Sequence, residues 1–137
     1  MTYLLDTNAV IAVLNKKPET VRERLRQVLT AESRVAISSV VLFELAYSVA
    51  KSLHRDANTQ RLRTFLAGQV DVISLGPEGA WRAGELRASL ERQGTPIGPY
   101  DVLIAAQALQ LDATLVTANF AEFGRVQGLK WEDWSQS

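Results

Sequence analysis

The chain has 137 residues, a mass of 15.1 kDa and equal numbers of acidic and basic side chains. This length predicts one folded domain over residues 1–137. The absence of cysteine excludes disulfide scaffolds, thiol nucleophiles and cysteine zinc sites, and the single histidine disfavours histidine-based metal sites. No apolar run approaches the roughly 20 residues of a membrane span, and no secretory signal is recognisable, so we expect a cytoplasmic protein with no membrane contact.

The charges are unevenly distributed along the chain. Residues 1–68 contain ten Lys and Arg against six Asp and Glu, a balance of +4, whereas residues 69–137 contain five against nine, a balance of −4. Arginine supplies eleven of the fifteen positive side chains, and its planar fork suits phosphate contacts. The basic first half is compatible with nucleic-acid binding, and equally with a solvated helix face.

Strand and helix patterns alternate along the sequence. In chain order they predict a strand at 3–5, helices at 9–14 and 18–31, a strand at 35–37, and helices at 40–52 and 57–67. A strand at 70–74, a helix at 78–93, a loop at 94–99, a helix from 100 or 101 to 111, a strand at 115–116, a short turn or helix at 119–123 and a C-terminal tail follow. This alternation predicts an α/β three-layer sandwich, with a central, mostly parallel sheet of four to five strands flanked by helices.

Acidic side chains fall where such folds bind ligands. Asp6 directly follows the first strand, Asp101 opens a helix after the 94–99 loop, and Glu122 follows the fourth strand. Because ligands bind at the carboxyl ends of parallel strands, we expect these acids to meet at one edge of the sheet. Glu44 lies in an apolar helix with no basic residue three or four positions away, so its carboxylate needs solvent or a positive partner.

Most of these residues also have a purely structural interpretation. Asp6 could cap the first helix, and Asp101 could be a first-turn acid stabilised by the helix dipole. Asn119 and Glu122 fit a capping box with Asn in place of Ser or Thr. Glu44 has no comparable explanation, which favours a functional role for the set.

Several carboxylates at one edge would repel each other unless a divalent cation neutralised them. Oxygen donors without His or Cys favour Mg²⁺, with Mn²⁺ as a substitute. Mg²⁺ held by few carboxylates keeps water molecules and acts at phosphates, so the predicted chemistry is attack of metal-activated water on a phosphodiester.

Four segments carry a resemblance to a known family. They are residues 3–8 (YLLDTN), 37–45 (ISSVVLFEL), 94–101 (GTPIGPYD) and 115–123 (LVTANFAEF). Their order and separation fit the whole chain, as does the ending Glu132-Asp133-Trp134. The chain resembles the PIN-domain ribonucleases and, among them, the VapC toxins of bacterial type II toxin–antitoxin modules.

The resemblance implies an Mg²⁺-dependent endoribonuclease whose acidic triad of metal ligands is Asp6, Glu44 and Asp101. It also implies hydroxyl groups that orient these carboxylates or a bridging water, on Thr7, Ser38 and Thr117. Many family members have an Asp after the fourth strand, where this chain has Asn119, and Glu122 is the nearest acid. Whether Glu122 completes the catalytic site or merely caps a helix is open.

The resemblance further implies a homodimer that is neutralised by a VapB-type antitoxin. The antitoxin's C-terminal segment would cross the acidic cleft and offer an Arg to the carboxylates. The loop at 94–101 resembles that of VapC toxins that cut initiator tRNA in its anticodon stem-loop, so tRNA is the expected RNA substrate. One candidate set for RNA backbone contacts is Lys16, Lys17, Arg22, Arg24 and Arg26. The rival set is Lys51, Arg55, Arg61 and Arg63.

Two alternatives belong to other functional classes. A haloacid-dehalogenase-type phosphohydrolase also places an Asp after its first strand, but it normally needs a second acid two residues later, where this chain has Asn8. The other is a non-catalytic module that binds RNA or protein through the same fold. A pure binder does not need the three acids Asp6, Glu44 and Asp101 together.

Overall fold

The structure is a computed structural model that describes residues 1–136. Its strands are β1 (Thr2–Leu5), β2 (Arg34–Ser38), β3 (Val70–Ile73), β4 (Thr114–Val116) and β5 (Trp131–Glu132). Its helices are α1 (Thr7–Asn15), α2 (Glu19–Thr30), α3 (Ser39–Ala50), α4 (Arg55–Leu66), α5 (Pro77–Arg92), α6 (Pro99–Gln110) and α7 (Phe120–Phe123). The predicted α/β class and the flanked central sheet are confirmed.

The five strands form one sheet in the order β3-β2-β1-β4-β5, and every neighbouring pair is parallel. From β1 the chain moves outward to β2 and β3, then returns across the sheet to β4 and β5. Parallel crossovers are right-handed, so α1–α4 cover one face of the sheet and α5 and α6 cover the other. The reversal of strand order beside β1 is the switch point at which such sheets bind ligands.

The core is centred on the middle strands, whose side chains are buried on both faces. Leu4, Leu5 and Leu115 have no exposed surface, as expected for parallel strands covered by helices on both sides. Near the C-terminus, Trp134 is 3% exposed and its ring lies 5.5 Å from that of Tyr3. Trp134 is therefore a packing residue of the core.

The structure differs from the sequence-based expectations in a few places. The C-terminal tail contains β5, which pairs with β4 and was not predicted as a strand. Helix α6 begins at Pro99 rather than at residue 100 or 101, so Asp101 is its third residue. Within residues 1–136, no helix is both long and apolar enough to cross a membrane.

Candidate active site

Asp6 joins the end of β1 to the start of α1 at the switch point. Its carboxylate accepts a hydrogen bond of 2.8 Å from the Ala9 backbone N–H, so it caps α1, and the residue is 5% exposed. Burial raises its pKa, hydrogen bonds from Thr117 and Ala9 oppose this, and the nearby charge of Glu44 adds to the rise. The capping interpretation of Asp6 is thus correct. The cap uses only Asp6 Oδ1, so Oδ2 is not held by the Ala9 N–H.

Glu44 is tied to the segment after β1 by a single hydroxyl group. The Thr7 hydroxyl donates a hydrogen bond of 2.8 Å to Glu44 Oε1, between the first turn of α1 and the middle of α3. The contact expected between Thr7 and a carboxylate is therefore present. Glu44 is partly exposed, so it meets the sequence-based requirement of access to solvent or a cation.

Asp101 and Glu122 form a pair of carboxyl groups that share a hydrogen bond. Burial raises the pKa of Asp101 to about 7, together with the hydrogen bond to Glu122 and the charges of Glu122, Glu44 and Asp6. The same hydrogen bond lowers the pKa of Glu122. Below about pH 7 Asp101 is therefore the protonated member of the pair, and the influence of Glu122, Glu44 and Asp6 on its pKa indicates that the four acids lie near one another.

Glu122 is held by donors from two other segments. The Gly98 backbone N–H donates to Glu122 Oε1 at 3.0 Å, and the Asn119 side-chain amide donates to Glu122 Oε2 at 3.1 Å. The predicted capping box is wrong, because the Asn119 side chain makes no cap hydrogen bond to α7. Asn119 instead fixes the carboxylate of Glu122 in place, pointing toward Asp101.

Two further hydroxyl groups lie fully buried near these acids. Thr117, directly after β4, hydrogen bonds to Asp6 and also accepts from the Asn119 backbone N–H at 2.9 Å. Ser38 Oγ accepts from the Val40 backbone N–H at 3.0 Å and so caps α3, the helix that carries Glu44. Within residues 1–136 the Ser38 hydroxyl makes no hydrogen bond to a carboxylate, so its role in the site stays a prediction.

The donor set fits a hard divalent cation. The four acids supply only oxygen donors, and the shared proton on Asp101 and Glu122 shows that their negative charges are under-compensated. Gly98 leaves space beside them, since a Cβ there would lie 3.4 Å from Asp101 Oδ2 and 3.7 Å from Glu122 Oε1. No three His, Cys, Asp or Glu side chains among residues 1–136 are already arranged to hold an ion.

Aromatic side chains that were not predicted as site residues border the acids. Phe43 and Tyr100 directly precede Glu44 and Asp101, their rings lie 5.6 Å apart, and they are 53% and 46% exposed. Tyr47, one turn after Phe43, is also exposed. The sequence pattern that could have predicted them is the four-residue spacing of Phe43 and Tyr47 on either side of Glu44.

Comparison with known proteins agrees with this arrangement. Residues 3–129 match the PIN domain family. The "tRNA(fMet)-specific endonuclease VapC" of Salmonella typhimurium is 39% identical over 98% of this chain and 98% of its own length. The "Ribonuclease VapC2" of Rickettsia felis is 40% identical over 99% of this chain and 100% of its own length.

Solved structures give the same result. A chain of VapBC2 from Rickettsia felis, in a crystal structure with a promoter DNA fragment, has a TM-score of 0.91 and 39% identity, covering 98% of this chain and 99% of its own. A chain of DNA-bound VapBC from Salmonella typhimurium has a TM-score of 0.89 and 38% identity, covering 98% of both chains. Matches of this extent exclude the haloacid-dehalogenase alternative. The chain belongs to the PIN-domain proteins and, within them, to the VapC ribonucleases.

Proposed function

We propose that the chain, acting as a single PIN domain over residues 1–137, is an Mg²⁺-dependent endoribonuclease and the toxin of a type II toxin–antitoxin module. The observation that carries this proposal is the convergence of four acids from four separate segments at the switch point of the sheet. Such a set is costly in a protein that only binds, because ionised carboxylates at close range repel each other.

In the proposed site Mg²⁺ is held by Asp6, Glu44 and Asp101, and Mn²⁺ can substitute. The bound ion supplies an activated water and stabilises charge on the leaving oxygen of a phosphodiester. Asp6 stays fixed because Ala9 and Thr117 hydrogen bond to it, and Glu44 is steadied by the Thr7 hydroxyl. These contacts limit the rearrangement that ion binding requires.

Glu122 is the fourth acid of the proposed site, and Asn119 is its positioning residue. The Gly98 and Asn119 donors keep the Glu122 carboxylate beside Asp101. In the metal-free state this carboxylate accepts a hydrogen bond from the protonated Asp101. An Asn after β4 therefore does not imply loss of activity. The acid is Glu122, one turn later, and the Asn119 side chain orients it through a hydrogen bond.

The proposed substrate is initiator tRNA, cut in the anticodon stem-loop to leave a 5′-phosphate and a 3′-hydroxyl. Support comes from the loop at 94–101 and from the similarity to the tRNA(fMet)-specific endonuclease VapC of Salmonella typhimurium. The test is incubation with purified initiator and elongator methionine tRNAs, followed by mapping of the ends. Cleavage of the initiator alone is expected, and equal cleavage of both would reject the specificity.

The proposed partners are a VapB-type antitoxin and a second copy of the chain. The related solved structures are VapBC assemblies, which supports the antitoxin. Co-expression with a cognate VapB-type antitoxin should abolish tRNA cleavage in the purified complex, and removal of the antitoxin should restore it. Sedimentation of the purified chain tests the homodimer, with a species of about 30 kDa expected from the 15.1 kDa protomer.

A further inference from the structure

Three depressions that share lining residues follow α1 from the acids to the other end of the helix. A depression lined by Thr7 and Glu44 shares Ile11 and Ser48 with a second depression between α1, α3 and α4. This second depression shares Leu14 and Arg61 with a third, beside the C-terminal end of α1. We call the whole feature the α1 groove.

The end of the α1 groove near the acids is lined by aromatic rings. Phe43, Tyr47 and Tyr100 all border the depression that contains Glu44, and each is about half exposed. Exposed rings beside a groove provide stacking surfaces for unpaired nucleotide bases. Lys51 lies over the ring of Tyr47 at 4.6 Å from its centroid, which adds a positive charge at this point.

The opposite end of the α1 groove is basic. Lys16, Arg22 and Arg61 line the third depression. Arg61 is fixed because its guanidinium donates hydrogen bonds to the Leu14 carbonyl and to Asn15 Oδ1. In the part of the chain that the structure describes, none of these three cations forms an ion pair, although Glu19 lies one helical turn before Arg22.

The spacing of the two ends is set by the helix itself. Asp6 caps the N-terminus of α1 and Lys16 caps its C-terminus, so about ten residues at 1.5 Å each separate them by about 15 Å. At the rise of about 3.4 Å per phosphate of a stacked, helical strand this distance corresponds to about four nucleotides, and an extended strand would cover it with fewer.

We propose that the α1 groove is the path of the RNA strand, and that Lys16, Arg22 and Arg61 bind its backbone phosphates about four nucleotides from the bond that is cut. This inference rests on the proposed ribonuclease function. Along the α1 groove the acids come first, then the aromatic rings and then the cations. Along a bound strand the scissile phosphate, the unpaired bases and the distal phosphates follow in the same order. The proposal selects two members of the first candidate basic set, Lys16 and Arg22, and one member of the rival set, Arg61.

The first test measures binding of total tRNA to the inactive Asp6→Asn protein in Mg²⁺ over a range of KCl concentrations. The test variant adds Lys16→Asn and Arg22→Gln, and Asn tolerates the left-handed backbone of residue 16 (φ 59°). The matched control adds Arg82→Gln and Arg92→Gln, exposed residues of α5 outside the groove.

Loss of two phosphate contacts should weaken binding about tenfold near physiological salt and make the salt slope shallower by about 1.4–1.8, since each contact contributes about 0.7–0.9. The control should bind as the Asp6→Asn protein does. Equal affinity and slope for the test variant and the control would overturn the proposal, as would loss of antitoxin binding with unchanged tRNA binding.

The second test compares RNA lengths once the cut has been mapped. With the active enzyme, the Lys16→Asn/Arg22→Gln variant should raise KM for an RNA that extends six nucleotides on both sides of the cut. It should not change KM for an RNA with only two on each side. An equal effect on both lengths would contradict a distal contact. Failure of the unmodified chain to cut any RNA would instead reject the proposed function, so the two failures are distinguishable.

Discussion

The carboxyl groups of Asp101 and Glu122, from α6 and α7, share a hydrogen bond that moves their pKa values in opposite directions. Asp101 is the member that keeps the proton, because burial and three neighbouring acids disfavour its ionised form. Near neutral pH the metal-free site therefore holds a proton where the proposed function places a cation.

The stability of the metal-free chain should fall as pH rises from about 6 to about 8. The pKa of Asp101 is raised to about 7, so its favourable contribution is complete below its ordinary pKa of 3.8 and is lost as pH passes 7. The lowered pKa of Glu122 acts with the opposite sign, but only below its ordinary value of 4.5. Urea unfolding in EDTA should show a loss of about 1 kcal/mol over this range, most of it below pH 7, after discounting for solvent screening of the partly exposed Asp101.

Excess Mg²⁺ should remove most of this pH dependence, because a bound cation stabilises the ionised carboxylates. A metal-free stability that stays constant or rises between pH 6 and pH 8 would contradict the crowding of charges.

Asp101→Asn should stabilise the metal-free fold at pH 8 by about 1 kcal/mol and abolish cleavage. The substitution removes the charge that repels Glu122, Glu44 and Asp6 and also removes a proposed ligand. The control is Asp56→Asn, an exposed acid in the first turn of α4, which reproduces the change in helix-dipole interaction alone. An Asp101→Asn melting temperature at or below that of the unmodified chain would count against the account.

Substitutions at Glu122 and Asn119 should separate an acid of the site from its positioning residue. Glu122→Gln should abolish cleavage at every Mg²⁺ concentration if Glu122 is the fourth acid. Asn119→Ala removes only the 3.1 Å donor to Glu122, so it should raise the half-saturating Mg²⁺ concentration about 10–100-fold, with activity recovered at high Mg²⁺. Full activity of Glu122→Gln would show that Glu122 has only a structural role.

Gly98→Ala should leave the fold intact and impair the site. The φ of residue 98 is −57°, which any residue adopts, and replacing Gly there should stabilise the chain by up to about 1 kcal/mol. The added methyl group would nevertheless stand 3.4 Å from Asp101 Oδ2, in the space beside the two carboxyl groups. Half-maximal cleavage should need a higher Mg²⁺ concentration in Gly98→Ala than in Gly84→Ala, where a Cβ has no neighbour within 4 Å. Equal titration curves would mean that the space at Gly98 serves no ligand.

Much of the architecture could be predicted because β1, β2 and β4 are short, buried apolar runs with helical patterns between them. Strand β5 could not, since two residues carry no alternation, and only pairing with β4 makes Trp131–Glu132 a strand. The edge at which Asp6 lies followed from its place directly after β1 and from the general behaviour of parallel sheets.

The contacts within the site were harder to predict from local sequence. The spacing of Asn119 and Glu122 fits a capping box, but the Glu122 carboxylate accepts instead from the Asn119 side-chain amide and from the backbone N–H of Gly98, 24 residues away from Glu122. The Thr7–Glu44 bond spans 37 residues, so no local pattern contains it. Long-range hydrogen bonds of this kind depend on the fold, and the sequence indicates the residues without their partners.

The most direct measurement is cleavage of a total tRNA pool by the purified, antitoxin-free chain, with Mg²⁺ and with EDTA, beside Asp6→Asn. Asn keeps the cap on the Ala9 N–H and removes only the charge, so this variant should fold normally. We expect discrete cuts from the unmodified chain in Mg²⁺ alone, and none from Asp6→Asn. Cuts that persist in EDTA or in Asp6→Asn would contradict a metal-dependent site at Asp6, and a folded chain that cuts nothing would favour a non-catalytic binding module.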